Sequence, residues 1–377
     1  MGIFSLDPDQ LAGCRELRDL ARRHLAPLAE QGGPGRVNRP LVAELGRLGL
    51  LERLFTAGAL DLCLMRESLA QVCTEAETAL ALQGLGAHPV HAYGTGAQRD
   101  RWLPAVRTGR AVAAFALSEP GAGSDAAALG LRADAEAPRA EKWLLSGEKT
   151  WISNAPEADF YTVFARTGEP GSRAGGVTAF LVPADRPGLT GTPLDMLSPH
   201  PIGTLAFDGV PVTADDVLGE PGGGFRVAMN TLNLFRPSVG AFAVGMAQAA
   251  LDATLAHTAR RQAFGGPLKD LQTVAHQVAD MAVRVESARL MVYAAAAAYD
   301  EGADGVPGRA AMAKLLATET AQHVVDAAVQ LHGARALRRG HLLEHLYREV
   351  RAPRIYEGAS EVQRAVIARE TYKEAAR

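Results

Sequence analysis

The sequence predicts an α+β protein in which an N-terminal helical domain is followed by a middle antiparallel β domain and a C-terminal helical bundle. Three observations carry this prediction: helical periodicity over residues 7–110, short β-type runs between residues 111 and 207, and long helical runs after residue 222. We expect the domain limits to be 1–111, 112–219 and 220–377.

Length, composition and charge exclude several classes of protein. With 377 residues and 47% hydrophobic side chains, the chain can bury a large core. Its 39 Lys and Arg against 42 Asp and Glu give a net charge of -3, and no basic block is present. We therefore expect neither nucleic acid nor a membrane as a partner.

The cysteines and the start of the chain indicate the compartment. The three cysteines lack the spacing of a metal site, so we expect free thiols in a reducing environment. Residues 1–7 lack the basic segment and apolar core of a signal peptide. We expect a cytoplasmic protein.

Apolar residues recur at helical spacing in both outer parts of the chain. In the first part, leucines at helical spacing form stripes such as Leu41, Leu45, Leu48 and Leu51. In the last part, four long runs predict helices: Phe225 to Arg260, Leu268 to Asp300, Arg309 to His332 and Ser360 to Lys373. Runs of this length are typical of a helical bundle.

The middle part carries short runs separated by Gly, Pro and Asp clusters, as a β domain requires. The predicted strands are Ala113 to Leu117, Trp143 to Trp151, Phe160 to Ala165, Val177 to Val182 and Thr204 to Phe207.

A glycine-rich loop follows the first predicted strand. The run Gly121-Ala122-Gly123-Ser124-Asp125 superficially matches a dinucleotide-binding fingerprint. That fingerprint needs a helix next, whereas residues 129–133 alternate like a strand, so we reject a Rossmann fold. The hydroxyls of Ser118 and Ser124 could bond a flat heterocycle or a thioester arm, and a turn with surface serines is the alternative.

Two further segments could bind a cofactor. Trp151 and Ser153 lie two residues apart on one predicted strand, so they share a face and could contact a ring system. A core tryptophan is the alternative. Arg260 and Arg261 end a long helix before Phe264, which allows a phosphate clamp or merely a basic helix terminus.

One metal pattern is present and is rejected. Residues His341 to His345 match the order His-x-x-Glu-His of a class of zinc proteases. Such a site also needs a further carboxylate ligand downstream and a pocket with an open coordination position, whereas arginines crowd this segment with positive charge, so we interpret it as a polar helix face.

A carboxylate near the end of the chain is predicted to lie on a connection between helices. Pro353 pushes Ala352 out of helical geometry, which should end the helical run His341 to Arg351 and leave Glu357 in a loop. Ser360 and Gln363 have the spacing of a capping box, so a helix should begin there. A base would then adjoin an anion-binding helix terminus, and a solvated loop glutamate is the alternative.

These motifs, in this order and across nearly the whole chain, resemble those of the acyl-CoA dehydrogenase family. The segments that carry the resemblance are Leu117-Ser118-Glu119-Pro120-Gly121-Ala122-Gly123-Ser124-Asp125, Trp151-Ile152-Ser153-Asn154, Arg261-x-x-Phe264 with Gln272, Gln330-x-His332-Gly333 and Tyr356-Glu357-Gly358-x-Ser360-Glu361-x-Gln363-Arg364. The resemblance implies a C-terminal four-helix bundle, assembly as a dimer of dimers (a homotetramer) and FAD at the subunit boundaries.

The resemblance also assigns roles to residues. Glu357 matches the catalytic base, and Phe235 stands where some members carry the base instead. Ser124 and Arg236 would bind substrate. The cofactor would be contacted by Leu117, Ser118, Trp151, Ser153, Arg261, Phe264, Gln272, Gln330, Gly333 and Glu361.

The function implied is the FAD-dependent α,β-dehydrogenation of an acyl-CoA thioester, with an electron-transfer flavoprotein as electron acceptor. Three alternatives stay open: a dehydrogenase of acyl groups on a carrier protein, a flavin oxidase or monooxygenase, and a non-catalytic thioester- or flavin-binding protein. The chain departs from the family pattern at Ala334, Arg335, Ala359, Asn233 and Phe235. Phe235 adds bulk near the expected acyl cavity, which favours a short or compact acyl group.

Overall fold

The structure, a computed structural model, describes residues 6–135, 142–169 and 172–376. Residues 1–5, which belong to the segment used above to predict a cytoplasmic protein, lie outside the described residues. The chain divides into two compact units. The helical unit lies within Met1–Ala26, Gly58–Glu77 and Asn233–Arg377, and the sheet unit within Pro27–Ala57 and Thr78–Leu232.

Helices form the first hundred described residues and nearly all of the last 150, as predicted. They are α1 (Pro8–Leu20), α2 (Ala26–Ala29) after a π-helical segment (Ala21–Leu25), α3 (Arg39–Arg47), α4 (Leu50–Thr56), α5 (Ala59–Ala70), α6 (Thr74–Tyr93), α7 (Gly96–Arg107), α8 (Gly224–Arg260), α9 (Gln272–Asp300), α10 (Val306–His332), α11 (Leu342–Glu349) and α12 (Ser360–Ala375). Short 3₁₀ turns span Ala126–Ala128, Arg173–Gly176, Ala214–Asp216, Leu268–Asp270, Gly333–Leu337 and Ala352–Arg354.

The strands form one large sheet and one small hairpin. They are β1 (Ala113–Ala116), β2 (Arg132–Ala135), β3 (Lys142–Ser153), β4 (Phe160–Arg166), β5 (Val177–Pro183), β6 (Leu189–Pro193), β7 (Ile202–Thr213), β8 (Gln262–Ala263) and β9 (Gly266–Pro267). In the sheet unit the order is β1-β4-β2-β3-β7-β6, with β5 also paired to β4. Most pairs are antiparallel, as predicted, but β1 and β2 each run parallel to β4. The predicted α+β class and the order helices, sheet, helices are confirmed.

The glycine-rich loop leads to a 3₁₀ turn and then to β2, so it does not open a helix. The rejection of a Rossmann fold is therefore confirmed. The domain limits 1–111, 112–219 and 220–377 stay a prediction.

The core of the helical unit is built mainly from Ala, Val and other small side chains, which allow its helices to approach closely. A Cβ at Gly245 of α8 would lie 2.5 Å from the carbonyl oxygen of Glu67 on α5, so only glycine permits this approach. Phe242, 2% exposed, belongs to the same core. Burying a side chain of this size contributes about 1.5–3 kcal/mol.

Judged by length and composition alone, helix α8 is long and apolar enough to cross a bilayer. No other helix among the described residues meets this criterion. The most apolar window of α8 is 72% buried inside the protein. The apolar character of α8 is therefore accounted for by its place in the core.

Candidate active site

Glu357 lies on the connection between the 3₁₀ turn Ala352–Arg354 and α12, as predicted. Its φ of 52° is in the left-handed region, which costs a non-glycine residue about 1–3 kcal/mol. Side chains hold this conformation by bonding its carbonyl groups. Arg236 Nε and Gln363 Nε2 each donate to Glu357 O at 3.2 Å. Lys314 Nζ donates to Gly358 O at 2.8 Å.

The carboxylate of Glu357 has an oxygen that the folded chain does not satisfy. Within the described residues, Oε2 is buried and has no hydrogen-bond partner. Burial raises the pKa of Glu357 above its usual value, while the nearby cations Arg66, Arg236 and Lys314 oppose this rise. A buried, unpartnered carboxylate with a raised pKa is suited to accept a proton from a weak carbon acid.

The cation that most opposes the rise, Arg66 on α5, was missed by the sequence analysis. It is 3% exposed and forms an ion pair with the fully buried Glu77. Its Nη1 also donates to Ser238 Oγ at 2.6 Å. The available signal was the presence of Arg66 and Glu67 within the largely apolar residues 62–70, because a charged side chain in an apolar helix needs a partner.

The predicted capping box at the start of α12 is wrong. The helix begins at Ser360, its N-cap is Ala359, and no side chain caps it. Ser360 Oγ instead donates to Glu319 Oε1 at 2.6 Å, because an acceptor on α10 lies within reach. Gln363 turns its amide toward the carbonyl groups of the loop, as described above.

The predicted end of the preceding helix also needs correction. Helix α11 ends at Glu349, and Ala352 begins a 3₁₀ turn rather than leaving helical geometry. Pro353 is tolerated there because the first residues of a helical turn need no N–H donor. Glu361, expected to contact the cofactor, is exposed on the first turn of α12.

In the sheet unit, the loop after β1 is bonded to β3 through its carbonyl groups. Leu117 is buried, Ser118 is half-buried and Ser124 is exposed. Lys149 Nζ donates to Leu117 O, and Thr150 N donates to Ser118 O, both at 3.0 Å. The loop is therefore ordered by contacts with β3.

Trp151 is not a core residue, so that alternative is wrong. The pairing of β3 with β7 shifts between Lys149 and Ile152, which places Thr150 and Trp151 in a bulge. Trp151 has a φ of 60° and is 58% exposed, while Ser153 is half-buried. The bulge interrupts the strict alternation on which the shared face of Trp151 and Ser153 was predicted. An exposed indole on a strained backbone is a reason to expect a ligand there.

The hairpin after α8 exposes a second aromatic side chain. Phe264, at the tip between β8 and β9, is 90% exposed with a φ of 56°. Gln272 and Gln330 are exposed as well, and Gly333 ends α10 with a φ of 65°. The side chains of Phe264, Gln272 and Gln330 and the backbone of Gly333 are therefore accessible to a ligand.

A cavity of about 490 Å³ in the helical unit is lined by basic groups. Its lining includes no carboxylate, and its polar members are His257, Arg260, Arg261, His332, Arg335 and His341. The rings of His257 and His332 stack with centroids 4.1 Å apart. Burial and the neighbouring cations lower the pKa of His257, so the arginines supply the charge at neutral pH. Such a cavity fits a phosphate-bearing ligand.

The zinc-protease pattern does not form a metal site. No cluster of three or more potential ligands occurs in the part of the chain that the structure describes. His341 caps α11 by accepting from Leu343 N at 3.1 Å. Glu344 binds Arg348 at 2.8 Å, and His345 Nε2 lies 2.6 Å from Thr74 Oγ1.

Three family models match the chain in sequence. The N-terminal domain of acyl-CoA dehydrogenases matches residues 7–110, the middle domain residues 114–210 and the C-terminal domain residues 222–372. Together with a glutamate whose buried Oε2 has no hydrogen-bond partner among the described residues, these domains define an oxidoreductase of the flavoprotein class. The chain belongs to the acyl-CoA dehydrogenase family.

Individual relatives are similar over nearly the whole length. The mitochondrial short-chain specific acyl-CoA dehydrogenase of Bos taurus is 38% identical over 363 residues, 93% of this chain and 87% of the relative. The structure of butyryl-CoA dehydrogenase from Megasphaera elsdenii has a TM-score of 0.90 at 32% identity, covering 98% of this chain and 99% of the other. PigA with FAD and proline has the same TM-score at 28% identity, with the same coverage.

Proposed function

We propose that this protein is an FAD-dependent acyl-CoA dehydrogenase that forms the Cα–Cβ double bond of an acyl thioester, with Glu357 as the catalytic base. The observation that carries the proposal is the buried, unpartnered Oε2 of Glu357 on a strained loop. A carboxylate oxygen with no hydrogen-bond partner among the described residues is available to a substrate proton.

The residues of this chain fit FAD at both ends of the cofactor. Trp151 is exposed on a bulge that is bonded to the loop carrying Leu117 and Ser118, as a flat ring system requires. Arg261 lines a cavity rich in cations and free of carboxylates, as a diphosphate requires. When bound, FAD supplies the acceptor for the β-hydrogen, which leaves as hydride.

In this proposal the ring end is held by Leu117, Ser118, Trp151 and Ser153. The phosphate and adenine half is held by Arg261, Phe264, Gln272, Gln330, Gly333 and Glu361. The accessible positions of Phe264, Gln272 and Gln330 favour contact with the cofactor of a neighbouring copy. We accordingly propose a homo-oligomer, a dimer or a tetramer.

The chain's own groups manage the α-proton. Glu357 Oε2 would receive it, and Arg236 and Lys314 hold the loop through its carbonyl groups while the reaction proceeds. Before proton transfer their charges favour the ionised carboxylate. Once Glu357 is neutral, the same charges favour negative charge on the thioester. Ser124, exposed on its loop, is the proposed contact of the thioester arm.

We also propose a cytoplasmic enzyme that takes acyl-CoA as substrate and passes electrons to an electron-transfer flavoprotein. The likeness to a butyryl-CoA dehydrogenase and to a short-chain specific enzyme supports a short acyl group. The buried side chain of Phe235, 1% exposed and next to Arg236, is in keeping with a compact acyl group.

A second candidate is a dehydrogenase of a polar acyl group, including one carried on a carrier protein. The ion pair of Arg66 with Glu77 and the bond to Ser238 place charged and polar groups around the base. PigA, an equally similar structure by TM-score, contains FAD and proline rather than a fatty acyl group. Comparing polar with apolar acyl groups, each bound to CoA and to a carrier protein, decides between the two candidates.

The test is an anaerobic titration of the FAD-loaded protein with a panel of acyl thioesters, following the loss of flavin absorbance. Bleaching by at least one thioester, absent in Glu357→Gln with FAD still bound, is the expected result. Bleaching of Glu357→Gln at the wild-type rate would contradict the assignment of the base. A protein purified without FAD that cannot be reconstituted would contradict the proposed function as a whole.

A further inference from the structure

We propose that Lys149 is a positioning residue for the flavin, whose ammonium group fixes the loop and the bulge that would contact the ring system. The inference rests on the proposed function for the identity of the ligand. It assigns a role to a buried group that neither the sequence motifs nor the comparisons identify.

The ammonium group of Lys149 ties together both ends of the glycine-rich loop. Lys149 is fully buried, and its Nζ donates to Leu117 O at 3.0 Å and to Glu119 Oε1 at 2.7 Å. Glu119, 8% exposed, accepts from Gly130 N at 2.5 Å and from Leu131 N at 2.9 Å. The start of the loop and its return to the sheet are therefore joined through one buried ion pair.

Lys149 also stands at the edge of the bulge that exposes Trp151. The register shift between β3 and β7 begins immediately after it. The next residue, Thr150, donates its N–H to Ser118 O at 3.0 Å. The proposed ring contacts Leu117, Ser118 and Trp151 thus depend on one short stretch of β3 for their placement.

The chemistry of the pair argues for a role beyond stability. Burial lowers the pKa of Lys149 to about 8, and the charge of Glu119 opposes this change, so the group is mainly charged at about pH 7. A buried ion pair contributes little net stability compared with an apolar pair of similar volume. What the pair does provide is a fixed geometry, since Lys149 Nζ bonds two acceptors and both carboxylate oxygens of Glu119 accept from main-chain N–H groups.

The effect of the pair on the flavin should come through geometry. Lys149 Nζ lies 2.7 Å from Glu119 Oε1, so the pair carries no net charge. Loss of the pair should displace the ring contacts Leu117, Ser118 and Trp151, which should weaken FAD binding and change the midpoint potential of the bound flavin. A pair that only stabilises the fold would change neither once the protein has folded.

The experiment compares three variants of the full-length protein with the wild type. Lys149→Met/Glu119→Gln removes both charges at similar volume and avoids an unpaired buried charge. Lys149→Arg keeps the positive charge. Arg186→Met/Asp216→Asn is the matched control, because Arg186 also bonds one carboxylate (Asp216, 2.6 Å) and one carbonyl (Pro211 O, 2.7 Å) in the same unit.

The measurements are the Kd for FAD, the midpoint potential of the bound flavin and the thermal unfolding of each protein. We expect the charge-free variant to bind FAD about tenfold or more weakly, a loss comparable to that of one charge-assisted hydrogen bond, and to have a midpoint potential that differs from that of the wild type. Lys149→Arg should stay within about threefold of the wild-type Kd, and Arg186→Met/Asp216→Asn should match the wild type.

Two results would overturn the inference. One is a folded charge-free variant with the Kd and potential of the wild type. The other, which decides the matter even where the charge-free variant does not fold, is a Lys149→Arg protein that folds and binds FAD about tenfold or more weakly. If the wild type binds FAD but no acyl thioester bleaches it, the proposed function fails while this inference stands.

Discussion

Arg236 Nε donates a hydrogen bond to the main-chain carbonyl oxygen of Glu357 at 3.2 Å, so a buried cation bonds the backbone of the residue whose carboxylate is proposed as the base. Arg236 is 8% exposed, and its Nη1 also donates to Asn233 Oδ1 at 3.1 Å. Arg236 was predicted to bind substrate. In this chain its Nε holds the base loop, which is a positioning role, while direct contact with substrate stays a prediction.

Replacing Arg236 by Met should lower kcat/KM for the best acyl thioester by about tenfold to a hundredfold, the range expected for a hydrogen bond from a charged group. The base loop would lose one of the bonds that hold Glu357 at positive φ, while FAD should remain bound. Stopped-flow measurement of flavin reduction checks this. Arg226→Met, an exposed arginine earlier on α8, is the control and should react like the wild type.

The pH dependence of flavin reduction should respond to Arg66. Glu357 must be ionised to accept a proton, and among its neighbours Arg66 does most to hold the pKa of Glu357 down against burial. In Arg66→Met/Glu77→Leu the pKa of Glu357 should rise further, and the acid limb of the kcat/KM profile should move to higher pH.

The control for this shift is a second ion pair that also involves α5. Arg289 Nε lies 2.8 Å from Glu67 Oε1, and Arg289→Met/Glu67→Gln removes that pair. The acid limb of the kcat/KM profile of Arg289→Met/Glu67→Gln should coincide with that of the wild type, even if this variant is less stable. Equal shifts in both double variants would show that the effect is structural.

We expect Glu357 to lower the free energy of unfolding of the protein at neutral pH. Its pKa is raised in the folded state, so the unfolded state releases its proton first as pH rises. Stability from this group is present below its ordinary pKa of about 4.5 and is lost as pH rises through the folded value. Glu357→Gln should therefore have a higher Tm than the wild type at about pH 7, with the difference shrinking toward about pH 4. A difference of the opposite sign would mean that the surrounding cations outweigh burial.

The sequence predicted those features that depend on local pattern. Helical periodicity predicted most ends of α8, α9, α10 and α12 to within a few residues. The proline at position 353 indicated that Glu357 lies in a loop. Contacts between residues that are distant in sequence could not be predicted. Ser360 matched a capping box, but its hydroxyl bonds Glu319, which lies 41 residues away. A local signature cannot report a competing acceptor on another helix.

The same limit applies to the sheet. Strand alternation put Trp151 and Ser153 on one face, whereas the bulge beside Thr204 of β7 breaks that alternation. Bulge positions depend on the register of the partner strand, which one strand's sequence does not contain. The pairing of Arg66 with Glu77 could not be predicted, because the two residues lie on different helices, α5 and α6, and neither local sequence indicates the other residue as its partner.

The basic cavity should make FAD binding depend on Arg261 and on ionic strength. Arg261→Met removes one of the permanent charges of a lining that contains no carboxylate, so the Kd for FAD should rise by about tenfold. The dependence of Kd on salt should become shallower, because one fewer cation is available to a phosphate. Arg338→Met is the matched control, an exposed arginine that follows the 3₁₀ turn Gly333–Leu337 and is not part of the lining. Titration of the apoprotein with FAD at two salt concentrations measures both quantities. If Arg261→Met binds FAD like Arg338→Met at low and high salt, the diphosphate is held elsewhere and the assignment of Arg261 is wrong.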